Sequence, residues 1–259
     1  MCQRYLFDGS ILVPSPRLWG ERARVRGPSG EPTSPPQTTE QRTPHPLPSK
    51  ARGEGTGIDP TNKYLWHMNS RRMEAEVVRD SVLFAAGSLD LTRGGAELSE
   101  AQGLTSLRRS LYFRNTPNDK MKFLEVFDVA DPNACYRRRE SVVPQQALAL
   151  MNSSLALDQS RLLAETLTTQ VGDKDDEPTR TAFVTAAMEV ILSQSPSEAE
   201  LRACHSFLQD QTRVVATSAQ AVFPAGGPSQ RVPSSSPIQR ARENLVQVLF
   251  SHNAFVTVR

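Results

Sequence analysis

The sequence predicts a mainly α fold behind a disordered lead, on three observations. The first 57 residues hold nine of the 19 prolines and seven of the 14 glycines. Beyond them, apolar residues recur at helical spacing, in stretches punctuated by Pro, Gly and Ser. Strand signals are few, the clearest being "RRSLYFRN" at 108–115. The expectation is five to six helices packed as one domain over 58–259. At most a small β-hairpin accompanies them, with a flexible loop over 216–237.

Residues 1–57 show neither a period of 3.6 nor one of 2. Such a composition buries too little apolar surface to offset chain entropy, so the segment is expected to be disordered. Its only early apolar run, Ile11-Leu12-Val13, is too short for the core of a signal peptide. "SPRLWGERARVRG" and "PHPLPSKARGEG" also resemble translated bacterial intergenic repeat DNA. They mark 1–57 as an artefactual segment rather than an evolved domain.

From Arg71 the spacing predicts a helix that Gly87 stops. Met73, Val77, Val78, Val82 and Ala85 form its apolar stripe, with Arg72, Glu76, Arg79 and Asp80 on other faces. Arg72 is placed to offset the repulsion between Glu76 and Asp80. Tyr64 and Trp66, just upstream, are expected to cap the core. In "RRSLYFRN", Leu111 and Phe113 alternate with Tyr112 and Arg114 as in a strand. Phe123, Val126 and Phe127 fit a short helix or a return strand equally well.

Pro144 opens the next helix, where its missing N–H costs nothing. Asn152-Ser153-Ser154 breaks or re-caps it. Leu155, Leu162, Leu163 and Leu167 mark the apolar side of the helix that follows. Gly172 and "DKDDEP" form an acidic turn. Phe183, Ala186, Ala187, Val190 and Ile191 then make another stripe. Ser197 with Glu200 fits a capping box, leading into Leu201, Cys204, His205 and Leu208. In the last helix Leu245, Val248 and Leu249 are expected to face inward.

Charge and cysteine usage exclude several classes. Residues 1–57 carry eight basic and five acidic groups, leaving 22 basic and 23 acidic on the rest. That near-neutral remainder gives no electrostatic footprint for nucleic acid. No apolar run approaches the roughly 18 residues of a membrane span. Cys2, Cys135 and Cys204 form no C-x-x-C pair, and with the scattered histidines they make no zinc or haem site. No cofactor is expected in this chain. A Cys135–Cys204 disulfide would require an oxidising compartment.

The densest stretch is "DPNACYRRRESVVPQQALALMNSS" at 131–154. Glu125, Asp128 and Asp131 are candidate catalytic carboxylates, though Asp131-Pro132-Asn133 also reads as an ordinary turn. Arg137, Arg138 and Arg139, with Asn133 and Arg109, are candidate anion-binding residues, since guanidinium forks suit carboxylates, sulfates and phosphates. The free N–H groups near Pro144 could share such an anion. Alternatively, the arginines pair with Glu125, Asp128, Asp131 or Glu140 and pin the loop to the helices. His67, His205 and His252 lie on different elements and are read as surface or core residues.

Four motifs in order carry a resemblance: "LWHMNSRRMEAEVVRDSVLFAAGSLD", "RRSLYFRN", "FLEVFDVADPNACYRRRESVVPQQALALMNS" and "LVQVLFSHNAFV". Together they resemble the C-terminal domain of a planctomycete family, domain of unknown function family 1553, over roughly 58–259. The resemblance implies a longer, exported protein with a cytochrome c domain upstream, and hence a truncated domain here. Ala254 stands where the family tends to have Glu. The expected function is a non-catalytic structural or binding module with an anion or saccharide site at the 128–140 loop. The alternatives are a saccharide-processing, hydrolase-like domain and a gene fragment without independent function. Expected partners are an anionic or carbohydrate ligand and those upstream domains.

Overall fold

The computed structural model describes residues 62–65, 68, 70–134, 138, 141–217 and 231–258. The expectations for 1–57, Trp66, His67, Cys135, Arg137, Arg139 and Glu140, and for most of 216–237, lie outside the described residues. The chain divides into two units, one holding Ser70–Val258 and the other Pro14–Asn69. In the second, the Leu65 N–H bonds the Asn62 carbonyl at 3.1 Å in a tight turn. Tyr64 there is 79% exposed, so it does not cap a core as expected.

Ser70–Val258 is mainly α. Its helices are α1 (Ala75–Ala85), α2 (Lys122–Val126), α3 (Pro144–Asn152), α4 (Ser154–Val171), α5 (Glu177–Leu192), α6 (Glu198–Thr217) and α7 (Pro237–Phe250). α2 is a single turn of five residues, and the other six match the expected count. The only sheet among the described residues pairs β1 (Arg71–Arg72) with β2 (Thr257–Val258), antiparallel.

Local chemistry sets most boundaries. Pro144 takes the first helical position of α3. Ser153 ends α3 and caps α4, its hydroxyl accepting from the Ala156 N–H at 3.2 Å. Asp176 caps α5 through the Thr179 N–H at 2.9 Å. Ser197 and Glu200 close a reciprocal capping box before α6: the Ser197 N–H donates to Glu200 at 2.8 Å and the Glu200 N–H donates back at 3.3 Å. Gly87 follows α1 with φ +72°, a left-handed stop that glycine adopts without strain.

α4, α5, α6 and α7 form the bundle. α7 packs against all three of its neighbours, and α5 also touches α4 and α6. α5 is accordingly apolar around much of its circumference, with Phe183, Val184, Ala187 and Met188 all buried. Val248 departs from expectation at 50% exposed; Val246 is the α7 valine that faces the core. Arg242 is buried among these helices. It donates to Gly172 O at 2.8 Å, Lys174 O at 3.1 Å and Thr168 Oγ1 at 3.0 Å, satisfying carbonyls where α4 ends. Its guanidinium lies 5.0 Å from the Phe183 ring centroid.

The other half is less regular. From Ser88 to Met121 the chain holds only two single-turn 3-10 segments, Glu100–Gln102 and Ser110–Tyr112. The strand expected at 108–115 is therefore a 3-10 turn, with one isolated bridge residue at either side of it. This segment covers the side of α1 that carries Arg79 and Asp80. Arg79 is fully buried there, donating to Gly103 O at 3.1 Å, Arg108 O at 2.9 Å, Ser110 Oγ at 3.3 Å and Ser106 O. Asp80 accepts from the Ser110 N–H and hydroxyl at 2.8 and 2.6 Å. Burial pushes the Arg79 guanidinium down to about 10 against the opposing pull of Asp80, so it stays charged at neutral pH. The stretch around Phe123 is a helix, α2, and Phe123 meets Phe127, just past its end, at 5.2 Å between ring centroids.

Among the described residues, no helix is long and apolar enough to cross a membrane.

Candidate functional site

Arg138 is the one residue of the arginine triplet that is described, and it reaches back to α1. Its Nη1 donates to Glu76 at 2.6 Å and its Nη2 to the other oxygen at 3.3 Å, a two-pronged pair. Glu74 lies 3.8 Å away. The hydrogen bond it donates to Glu76 raises the Arg138 pKa further. One expectation is that the arginines pair with Glu125, Asp128, Asp131 or Glu140; Arg138 pairs instead with Glu76, on another element. The Arg72–Glu76 contact expected along α1 is absent, because Arg72 belongs to β1 and turns elsewhere.

Asp128 follows α2 with φ +61°, a left-handed conformation that Asp tolerates better than most residues. Its Oδ2 accepts from both the N–H and the hydroxyl of Ser141, each at 2.7 Å. Asp131 Oδ1 accepts from the Asn133 N–H at 3.0 Å, closing an Asx turn. Glu125 is exposed on α2. The three carboxylates therefore occupy three separate settings. Arg109 Nε lies 3.9 Å from Asp80, one helical turn along α1 from the Glu76 that holds Arg138.

Two adjoining pockets open between β1, α2, α3 and the end of α7. The smaller, of about 60 Å³, is lined by Arg71, Arg72, Glu74, Asp128, Arg138, Ser141 and Gln146 among others. The larger, of about 350 Å³, has Val142, Val143, Pro144, Ala147, Leu150, Ser251 and Asn253 on its walls. Arg72, Phe127, Gln146 and Val256 line both. Asp128 and Arg138 thus share the smaller pocket, while Asp131 lines neither.

Arg72 joins the two. Its Nη2 donates to Gln146 Oε1 at 2.8 Å and its Nη1 to Asn253 Oδ1 at 3.0 Å. Gln146 is buried and donates in turn to Val126 O and Ser141 O, each at 3.2 Å, which locks its amide and orients the oxygen toward Arg72. Both partners of Arg72 are neutral, and no carboxylate pairs with it or with the exposed Arg71 among the described residues. The site is therefore a cation held by amides at the mouth of an apolar groove. Gln146 and Arg72 escaped the sequence reading. The available signal was a pair of glutamines, Gln145 and Gln146, on the first turn of α3, the turn that Pro144 opens.

Remaining candidates sit apart from this site. Cys204 is a free, half-buried thiol that burial pushes up in pKa, which opposes thiolate chemistry. His205 Nε2 lies 3.2 Å from Thr181 Oγ1. Among the described residues, no group of three or more His, Cys, Asp or Glu side chains could hold a metal ion.

Fold and site together define a mainly helical domain with an amide-held guanidinium at a groove. A family model, PSD1, described as a protein of unknown function (DUF1553), matches residues 47–208. That span is more than half of the chain, and the chain belongs to this family. The match begins inside the segment expected to be artefactual and ends within α6, so the closing motif at 245–256 lies beyond it. No curated protein and no solved structure matches the chain.

Proposed function

We propose that this domain is a non-catalytic binding module that takes an anionic ligand at the Arg72 pocket. The observation that carries the reading is Arg72, a half-buried residue whose guanidinium has Gln146 and Asn253 as its partners. A buried charge is ordinarily matched by an opposite one. Arg138 has its match in Glu76 and Glu74. Arg72 has only amide oxygens, so an incoming anion gains a charge-assisted bond without displacing a carboxylate. The anion site expected at 128–140 thereby moves one element over, from the triplet to β1.

The saccharide-processing alternative has less support. Its carboxylates Asp128 and Asp131 are spent on Ser141 and on a local turn. In a larger exported, cytochrome-linked protein, as the resemblance implies, such a module would hold a ligand for chemistry done elsewhere.

The test is calorimetric titration of the whole chain with isocaproate, sulfate, galacturonate and a neutral disaccharide. At least one anion should bind more tightly than the disaccharide, and Arg72→Gln should weaken it about tenfold or more, the loss of one bond to a charged group. Equal binding of neutral and anionic probes, or an unaffected Arg72→Gln, would refute the reading. Turnover of a glycoside by the parent chain but not by Asp128→Asn would favour the hydrolase.

A further inference from the structure

We infer that the ligand of this site is a monocarboxylate carried on a branched aliphatic body, with the carboxylate at Arg72 and the body along the α3 groove. This rests on the anion-binding reading above and narrows it to one chemical class.

The first argument is charge. The smaller pocket sets Arg71, Arg72 and Arg138 against Glu74 and Asp128, and Arg138 is also paired with Glu76, so the charges there balance, three against three. The larger pocket has Arg72 as its single charged wall, a surplus of one. A monoanion matches that surplus. A phosphate dianion or a run of sulfates would bring more negative charge than the walls can match, close to Glu74 and Asp128. The planar guanidinium fork also suits a planar carboxylate. Arg72 keeps its Nε–H and one hydrogen on each Nη for it, since Gln146 and Asn253 take only one each.

The second argument is shape. About 60 Å³ accommodates a small polar head or a few waters. About 350 Å³ lies at the low end of the range for small-molecule pockets. The two share Arg72, so head and body belong to one ligand.

The third argument is the wall chemistry. Val142, Val143, Pro144, Ala147, Leu150 and Val256 present aliphatic surface. Phe127 is 5% exposed and offers no open ring face for a sugar to stack on. Val142 stands 78% exposed at the rim, apolar surface that a ligand body would cover. A sugar acid would place hydroxyls against these methyl groups. A leucine-like or valine-like body would not.

Two sources present this chemistry, a free branched-chain acid and the carboxy terminus of a peptide. Isothermal titration of the whole chain should use isocaproate, N-acetyl-Ala-Leu, the amide of that dipeptide, galacturonate and sulfate. The dipeptide acid should bind, and its amide about tenfold more weakly or worse, since the amide removes the charged bond. Isocaproate binding as tightly as the dipeptide would support the class with a free acid as its source. Arg72→Lys keeps the charge and loses the fork, so it should weaken the acid several-fold. Val142→Glu puts a like charge at an exposed rim position. It should weaken the acid while leaving the melting temperature unchanged, which separates binding from folding. Equal binding of acid and amide would overturn the inference. So would galacturonate or sulfate binding where neither aliphatic acid does, although the anion site itself would then stand. Failure of every probe would remove both.

Discussion

The α4–α7 bundle and the Ser88–Met121 segment each bury an arginine, and the two arginines do different jobs. Arg242 sits in an assembly that already has its own apolar core, and it satisfies the carbonyls where one helix ends. Arg79, on α1, faces a segment where regular structure is scarce, and its bonds to Gly103, Ser106, Arg108 and Ser110 hold that segment in place. In the bundle, polar contacts finish a shape that packing defines. In the irregular half, polar contacts define the shape. The pockets open away from both, between β1, α3 and the segment that follows α7.

Four substitutions would sharpen or break this contrast. The largest effect is expected from Phe183→Ala, which empties the bundle core at a fully buried ring. It should cost about 3–5 kcal/mol, read from urea unfolding, and raise amide exchange throughout α4–α7. Arg79→Met should cost about 3 kcal/mol, because buried carbonyls and Asp80 lose their partner. Its faster exchange should be confined to 88–121. If Arg79→Met instead lowers the whole transition with no local loosening, the two halves form one cooperative unit and the contrast fails.

Gly103→Ala comes next. An added Cβ would meet Met121 Cε, Cγ and Sδ at 2.5, 2.6 and 2.7 Å, and Met121 is buried. Overpacking of this kind should cost about 1–2 kcal/mol, with Met121→Ala restoring part of the loss in the double variant.

The smallest effect belongs to Glu243 of α7, whose carboxyl burial pushes up. Arg240, Arg161 and Glu165 act on it, and the Ser234 N–H donates to it at 3.2 Å. A raised folded value means that the folded state holds the proton more tightly. Its contribution is present in acid and is lost as pH rises through the folded value. Glu243→Gln should flatten that fall, measured as melting temperature between about pH 4 and about pH 8. An unchanged slope would show that Arg240 compensates the charge.

The sequence was most legible where partners are close along the chain. Pro144, Ser153 and the Ser197–Glu200 box all act within four residues, and each does what its local chemistry dictates. Legibility falls off with separation. Arg79 bonds Gly103, 24 residues away, so periodicity sets it off the apolar stripe of α1 but does not show that it is buried. Arg138 finds Glu76 at a separation of 62, and no spacing rule favours Glu76 over the nearer Glu140 or Asp131. Val248 and Val246 are two positions apart on α7, and only the placement of the helices around α7 decides which one is covered. The family could be read because its motifs are contiguous strings. The pocket could not, because its chemistry is an encounter between distant segments.

Arg72 and Asn253 are 181 residues apart, and β1 pairs with β2 over a similar span. Closing so large a ring is favourable only after helices have shortened the path between its ends, because the entropic cost of closure grows with the free length of the chain. The contact that builds the pocket is therefore expected to be the last to form and the first to fray. A ligand at Arg72 would act as a clasp on that ring, stabilising the closed chain by mass action over any state in which the ends have parted. Occupancy would then report that the domain has finished folding.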